Sequence, residues 1–137
     1  MNVEQMIREC YLPNRRQLAP STEAGYDSAI KAHILPRWKD TEVDSLTVFD
    51  LEEWLFTKTG GCARKVWATF RVILRSCYDW GYISNDVGKR RVRLPKKEPY
   101  TAPTLTQRQY KKMIKGFYGD PLEAIVIIIA SLGLRRG

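Results

Sequence analysis

Residues 62–80 limit what this chain can fold into more than any other stretch. At 100° per residue, Val66, Phe70, Ile73, Cys77 and Trp80 fall within about 80° of one another. Arg64, Arg71 and Arg75 fall within about 40° on the opposite side, with the small Ala68 between them. Such a pattern predicts a long helix with an apolar stripe to bury and an arginine stripe to present, and it is incompatible with the two-residue alternation of a strand.

The neighbouring segments are helical too. Val3, Met6, Ile7 and Cys10 follow i, i+3, i+4, i+7 spacing, which predicts a short helix over residues 3–11 ended by Leu12-Pro13-Asn14. Ala19-Pro20-Ser21-Thr22 starts a second, expected to stop before Pro36, because proline lacks the amide donor and restricts its neighbour. Its inner face is Tyr26, Ala29, Ile30, His33 and Ile34, and its outer face carries Ser28 and Lys31. Thr47-Val48-Phe49-Asp50 approximates a capping box and opens a helix with Leu51, Trp54 and Leu55 inward, closed by Thr59-Gly60-Gly61. Trp54, Trp67 and Trp80 lie on or beside inner faces, as core or boundary residues.

Charge is segregated along the chain. Residues 1–59 carry 7 basic and 10 acidic side chains, and residues 60–137 carry 16 basic and 5 acidic, so the net +8 is the sum of a −3 and a +11 segment. That asymmetry points to one cationic face and a polyanionic partner, nucleic acid first among them. Asp40, Glu42, Asp44, Asp50, Glu52 and Glu53 are expected to face solvent away from it. After a turn at 81–86, Gly88 to Pro103 holds Lys89, Arg90, Arg91, Arg93, Lys96 and Lys97 with three prolines, a composition that predicts an extended linker. Its cations would track a phosphate backbone.

A second helical region follows. Thr106-Gln107-Arg108-Gln109 is a capping-box variant, and Asp120-Pro121 pairs an N-cap with a first-turn proline. Leu122 to Leu132 is apolar on nearly every side and is expected to be buried. Only five residues follow it, so residues 104–137 read as the start of a domain that continues elsewhere.

Several classes are excluded or disfavoured. Ala124 to Ala130, the longest apolar run, is far short of the ~20 residues that cross a bilayer. The N-terminus lacks the basic and apolar regions of a secretory signal. Cys10, Cys62 and Cys77 are dispersed, and His33 is the single histidine, so no metal site or cofactor is expected and the thiols read as reduced, partly buried small hydrophobes in a cytoplasmic protein.

The motifs together resemble the tyrosine recombinases, the phage integrase family. Ser21-Thr22, Tyr26, His33-Ile34-Leu35-Pro36 and Leu46-Thr47 are similar to its core-binding domain, in which a Thr-capped helix ends at a "hilP" stretch and an "(I/L)T" turn opens the next helix. Trp80-Gly81-Tyr82-Ile83 resembles the "g-x-I" turn that ends its last long helix. Leu105-Thr106 resembles the "LT-x-x-E" start of the catalytic domain, and Gly133-Leu134-Arg135-Arg136-Gly137 resembles "TGLRRGE". Asn85-Asp86, Leu132 and Gln109 depart from the family's Asn-Pro, Thr and Glu.

The resemblance implies an all-α protein: a SAM-like core-binding bundle of four to five helices over residues 1–88, a basic linker over 89–103, and the first helices of a truncated catalytic domain over 104–137. Its implied role is the DNA-binding fragment of a site-specific recombinase, clamping a double-stranded core site with helices Thr22–Leu35 and 62–80. The contact residues expected are Thr22, Ser28, Lys31, Arg64, Lys65, Arg71, Arg75, Lys89, Arg90, Arg91, Lys96 and Lys97. An ordinary solvated face is the alternative reading of each. Arg135 maps onto the family's first catalytic arginine. The downstream catalytic residues and nucleophilic tyrosine have no counterpart here, so the 137-residue chain is expected to be a monomer that does not cleave DNA, and the complete enzyme a tetramer on synapsed DNA that cuts through a 3'-phosphotyrosine. The alternative function is a non-catalytic helical regulator or architectural DNA-binding protein.

Overall fold

In a computed structural model, which describes residues 1–133, the chain is all-α: the one β pairing among the described residues is an isolated antiparallel bridge between Asn2 and Glu42. The chain divides into two units, Met1–Glu98 and Pro99–Gly137.

Helix α1 of the first unit runs over residues 3–14 and α2 over 20–38, and both pass through the proline expected to stop them. The reason is a local change of winding. Helix α1 consists of Val3–Gln5, a π segment Met6–Tyr11 and Leu12–Asn14; α2 consists of Pro20–Ala29, a π segment Ile30–Ile34 and Leu35–Trp38. Leu12 N–H donates to the Ile7 carbonyl and Leu35 N–H to the Ile30 carbonyl, five residues back rather than four. A proline ring in an α-helix collides with the carbonyl four residues before it, and the wider turn relieves that clash ahead of Pro13 and Pro36.

The extra turn of α2 delivers Trp38 to the core. Its ring packs edge-on against Trp54 at 5.6 Å, and Trp54 in turn against Phe70 at 6.1 Å. This aromatic row joins α2 to α3 (Val48–Phe56) and α4 (Gly60–Asp79), and each edge-to-face pair is worth about 0.5–1.5 kcal/mol beyond its buried area. Val3, Met6, Ile7 and Cys10 of α1 are all buried, as their spacing predicts, and so are Leu51, Trp54 and Leu55 of α3. Thr47 caps α3 by accepting the Asp50 N–H at 3.2 Å.

Helix α4 is the centre of the unit, touching α1, α2 and α3. Its buried stripe of Val66, Phe70, Ile73 and Cys77 matches the sequence pattern, but the last expected member does not. Trp80 is 41% exposed and stacks on Tyr11 at 6.4 Å, because the helix ends at Asp79 and the chain leaves the helical path. Gly81 adopts φ +79° there. Its N–H donates to Tyr78 O and that of Tyr82 to Cys77 O, each at 2.9 Å, a Schellman closure that a side chain at Gly81 would strain.

The second unit contains α5 (Gln107–Gly116) and α6 (Glu123–Leu132). The expected capping box is present: Thr106 N–H donates to Gln109 Oε1 at 2.9 Å, and Gln109 N–H to Thr106 Oγ1 at 3.3 Å. Helix α6 starts later than Asp120-Pro121 suggests, since Asp120 Oδ1 accepts the Leu122 N–H at 2.8 Å in a preceding turn. The burial expected for α6 is not found: Ile125 is 53% and Leu132 69% exposed. Among the described residues of this unit only α5 packs on it, and one helix covers one face.

Candidate nucleic-acid interface

The groove between α2 and the start of α4 gathers Ser28, Arg64, Lys65 and Lys97 around a space of about 630 Å³. Gly25 of α2 and Gly61 of α4 also line it, and a Cβ at either would meet nothing within 4 Å, so both backbones are open to an approaching group. The first N–H groups of any helix lack intrahelical acceptors. In α4 no side chain caps them: the N-cap Thr59 makes no such bond, and the first turn has no acidic residue. Three cations near uncapped amides at the positive end of a 20-residue helix form a setting suited to an anion such as a phosphodiester.

Lys97 reaches this groove because the segment after α4 is docked rather than free. Asp44 Oδ1 accepts the N–H groups of Ser84 and Asn85, both at 3.0 Å, and the Asn85 amide donates to the Leu46 carbonyl at 2.9 Å. Arg71 Nε donates to the Gly88 carbonyl at 2.9 Å. Glu52 Oε1 accepts the Arg93 N–H at 2.7 Å. Val92 and Leu94 pack against the core while Arg91 and Arg93 are exposed, the inward–outward alternation of extended chain. The backbone of Lys96 then lies directly against Gly60, where a Cβ would sit 2.4 Å from the Lys96 carbonyl oxygen. The expected linker is extended over residues 90–98, as its composition suggests, but this part belongs to the first unit.

The other residues singled out from sequence lie elsewhere. Thr22 and Lys31 are exposed on α2, and Arg90 and Lys96 on the docked segment. Arg91 lines a separate cleft with Val48, Glu52 and Arg93. Arg71 is engaged by Gly88, and Arg75 Nε lies 3.9 Å from Asp79 Oδ2. Lys89 pairs with Asp86 at 2.9 Å and sits over the Tyr78 ring, and the hydrogen bond to Asp86 raises its pKa. The arginine stripe of α4 is therefore divided: Arg64 faces the groove, Arg71 holds the chain that follows, and Arg75 pairs within its own helix. Arg135 lies outside the described residues.

Sequence reasoning missed the groove-side roles of Gly25, Gly60 and Gly61, and it gave Asp44 and Glu52 no role beyond facing solvent, although the exposed Asp44 holds the turn at Ser84 and Asn85 and the half-buried Glu52 holds the basic segment. The alternation of Val92 and Leu94 between arginines was the available signal. Cys62 Sγ lies 3.8 Å from His33 Nε2 within the groove, and among the described residues no third His, Cys, Asp or Glu completes a metal cluster. Burial raises the pKa of Cys10 and pushes the Cys77 thiol up to about 12, so both stay protonated and unreactive at neutral pH. No helix among the described residues is long and apolar enough to cross a membrane. Compared with known proteins, the chain matches no protein-family model, no curated protein and no solved structure.

Proposed function

We propose that this chain is the DNA-gripping portion of a site-specific tyrosine recombinase, its first unit a SAM-like core-binding bundle and its second the opening of the catalytic domain. The observation that carries the reading is the groove in which Ser28, Arg64, Lys65 and Lys97 converge on the uncapped start of α4. They come from three stretches far apart in sequence, and a solvated charged face gives no reason for these to converge.

Duplex DNA offers a row of phosphates. One seated in the groove would accept hydrogen bonds from the Gly60, Gly61 or Cys62 amides and from Ser28 while Arg64, Lys65 and Lys97 neutralise it. Such contacts fix the protein's register on DNA, and the exposed Lys31 and Thr22 of α2 are then free to approach base edges. In the complete recombinase Arg135 would bind the scissile phosphate and stabilise the added charge of its pentavalent transition state. The tyrosine attack requires no metal or nucleotide cofactor, and the assembly on synapsed DNA would be a tetramer.

The test is duplex binding by fluorescence anisotropy from 50 to 300 mM salt. The double substitution Arg64→Glu with Lys65→Glu should lower the magnitude of the log K against log[salt] slope by about 1.8, for two lost phosphate contacts. An unchanged slope removes the groove from the interface. Absence of duplex binding by the unaltered chain at the lowest salt refutes the DNA reading itself.

A further inference from the structure

We infer that Glu52, an acidic residue, strengthens DNA binding, because with Gly60 it docks residues 89–97 so that Lys97 stands in the groove. The inference rests on the DNA reading above and assigns Glu52 and Gly60 as positioning residues for that site.

Elementary electrostatics gives the opposite sign. A carboxylate beside Arg91 and Arg93 subtracts from the positive field, and its removal should tighten binding to a polyanion. The geometry argues otherwise. Glu52 Oε1 accepts the Arg93 backbone N–H at 2.7 Å, a charge-assisted bond in the middle of the extended segment. On either side of it Val92 and Leu94 pack against the core. Upstream, the Gly88 carbonyl is tied to Arg71, and Gly88 itself fits against the α4 backbone, where a Cβ would lie 3.2 Å from the Arg71 carbonyl oxygen. Downstream, Lys96 crosses Gly60 at a distance that excludes any side chain. Beyond Arg90, Glu52 makes the one polar anchor found for the segment among the described residues. Releasing it leaves the half-buried apolar side chains of Val92 and Leu94 to hold residues 91–97, a highly cationic, proline-containing stretch whose freed conformational entropy opposes docking. The undocked segment would keep its charge, but Lys97 would no longer be fixed beside Arg64 and Lys65.

Losing one localised phosphate contact reduces the slope of log K against log[salt] by about 0.9, which at 100 mM salt is about an eightfold loss of affinity. The experiment compares the full chain with Glu52→Ala, Glu52→Gln, Lys97→Ala and the double variant Glu52→Ala with Lys97→Ala. Duplex affinity is measured against salt, and amide hydrogen exchange at Arg93 is measured without DNA. The expected result is weaker binding and a shallower slope for Glu52→Ala, with recovery in Glu52→Gln, which keeps the acceptor oxygen without the charge. In the Glu52→Ala background, Lys97→Ala should cost nothing further. Arg93 exchange should rise about tenfold in Glu52→Ala. Tighter binding by Glu52→Ala, or additive losses in the double variant, overturns the inference. So does unchanged exchange at Arg93. An unaltered chain that binds no duplex refutes the DNA reading and with it the role of Lys97, whereas Arg93 exchange still reports whether Glu52 docks the segment.

Discussion

Gly60 and Gly61 provide a matched pair for testing the docked segment without DNA. Replacing either by Ala at the start of α4 removes glycine's backbone freedom and adds a better helix former, a gain of up to about 0.5–1 kcal/mol. At Gly61 nothing else changes, since a Cβ there meets no atom within 4 Å. At Gly60 the same methyl would lie 2.4 Å from the Lys96 carbonyl oxygen, 2.7 Å from its carbon and 2.9 Å from Lys97 Cα. All three are backbone atoms, so no rotamer relieves the overlap. Either the segment retreats from α4 or the helix start distorts, and forced overpacking of this kind costs about 1–3 kcal/mol. Gly61→Ala should therefore be slightly stabilised and Gly60→Ala should fall about 1–3 kcal/mol below it. Urea denaturation followed by the fluorescence of buried Trp38, Trp54 and Trp67 reads both, and the common helix contribution cancels in the difference. Equal midpoints for the two variants would refute the close crossing of Lys96 over Gly60, and with it the route by which Lys97 enters the groove.

Two other perturbations have definite signs. Asp44→Ala strips the acceptor from the Ser84 and Asn85 amides and should lower stability by about 1–2 kcal/mol by urea denaturation, a loss that a solvent-facing carboxylate would not produce. The Cys77 thiol, at about 12 against an ordinary value of 9.0, stays neutral in the fold while the unfolded chain ionises, so stability is unaffected below pH 9 and falls as pH rises above it. The slope from this group approaches about 1.4 kcal/mol per pH unit between 9 and 12. Cys77→Ala should show a shallower decline from pH 9 to 10.5 whatever its absolute stability, and parallel declines would contradict the burial of that thiol.

The first unit was legible in sequence wherever one face of one helix settled the matter. Val3, Met6, Ile7 and Cys10 are buried because residues spaced i, i+3, i+4, i+7 share one helix face, and Leu51, Trp54 and Leu55 follow the same rule after the Thr47 cap. The expectation failed where two local rules competed. Pro13 and Pro36 stop an α-helix by the clash with the preceding turn, and nothing in composition announces that the preceding turn has widened to accept them. Burial of Trp38 repays that widening, and burial is a property of the whole unit rather than of the Leu35-Pro36-Arg37 stretch. Trp80 failed for a related reason: a periodic stripe says which way a residue would point if the helix continued, and Gly81 ends it.

The candidate site was legible as chemistry and much less as geometry. Charge segregation directed attention to Arg64, Lys65 and the cations after Gly88, and spacing put Ser28 on the outer face of α2. Neither could divide the arginine stripe into groove-facing Arg64 and chain-holding Arg71, because that division depends on where the chain goes after α4. The route is set by contacts between residues about 40 positions apart: Asp44 with Asn85 and Glu52 with Arg93. Such pairs have no local periodicity to betray them. They also change how the −3 segment is understood. Of the acids expected to face solvent, Asp44 fixes the turn that leads into the cationic segment and Glu52 fixes the segment itself, so part of the negative charge serves the positive surface. The unevenness of the chain's charge therefore records two different demands, one for cations at the groove and one for carboxylates behind the segment that carries them.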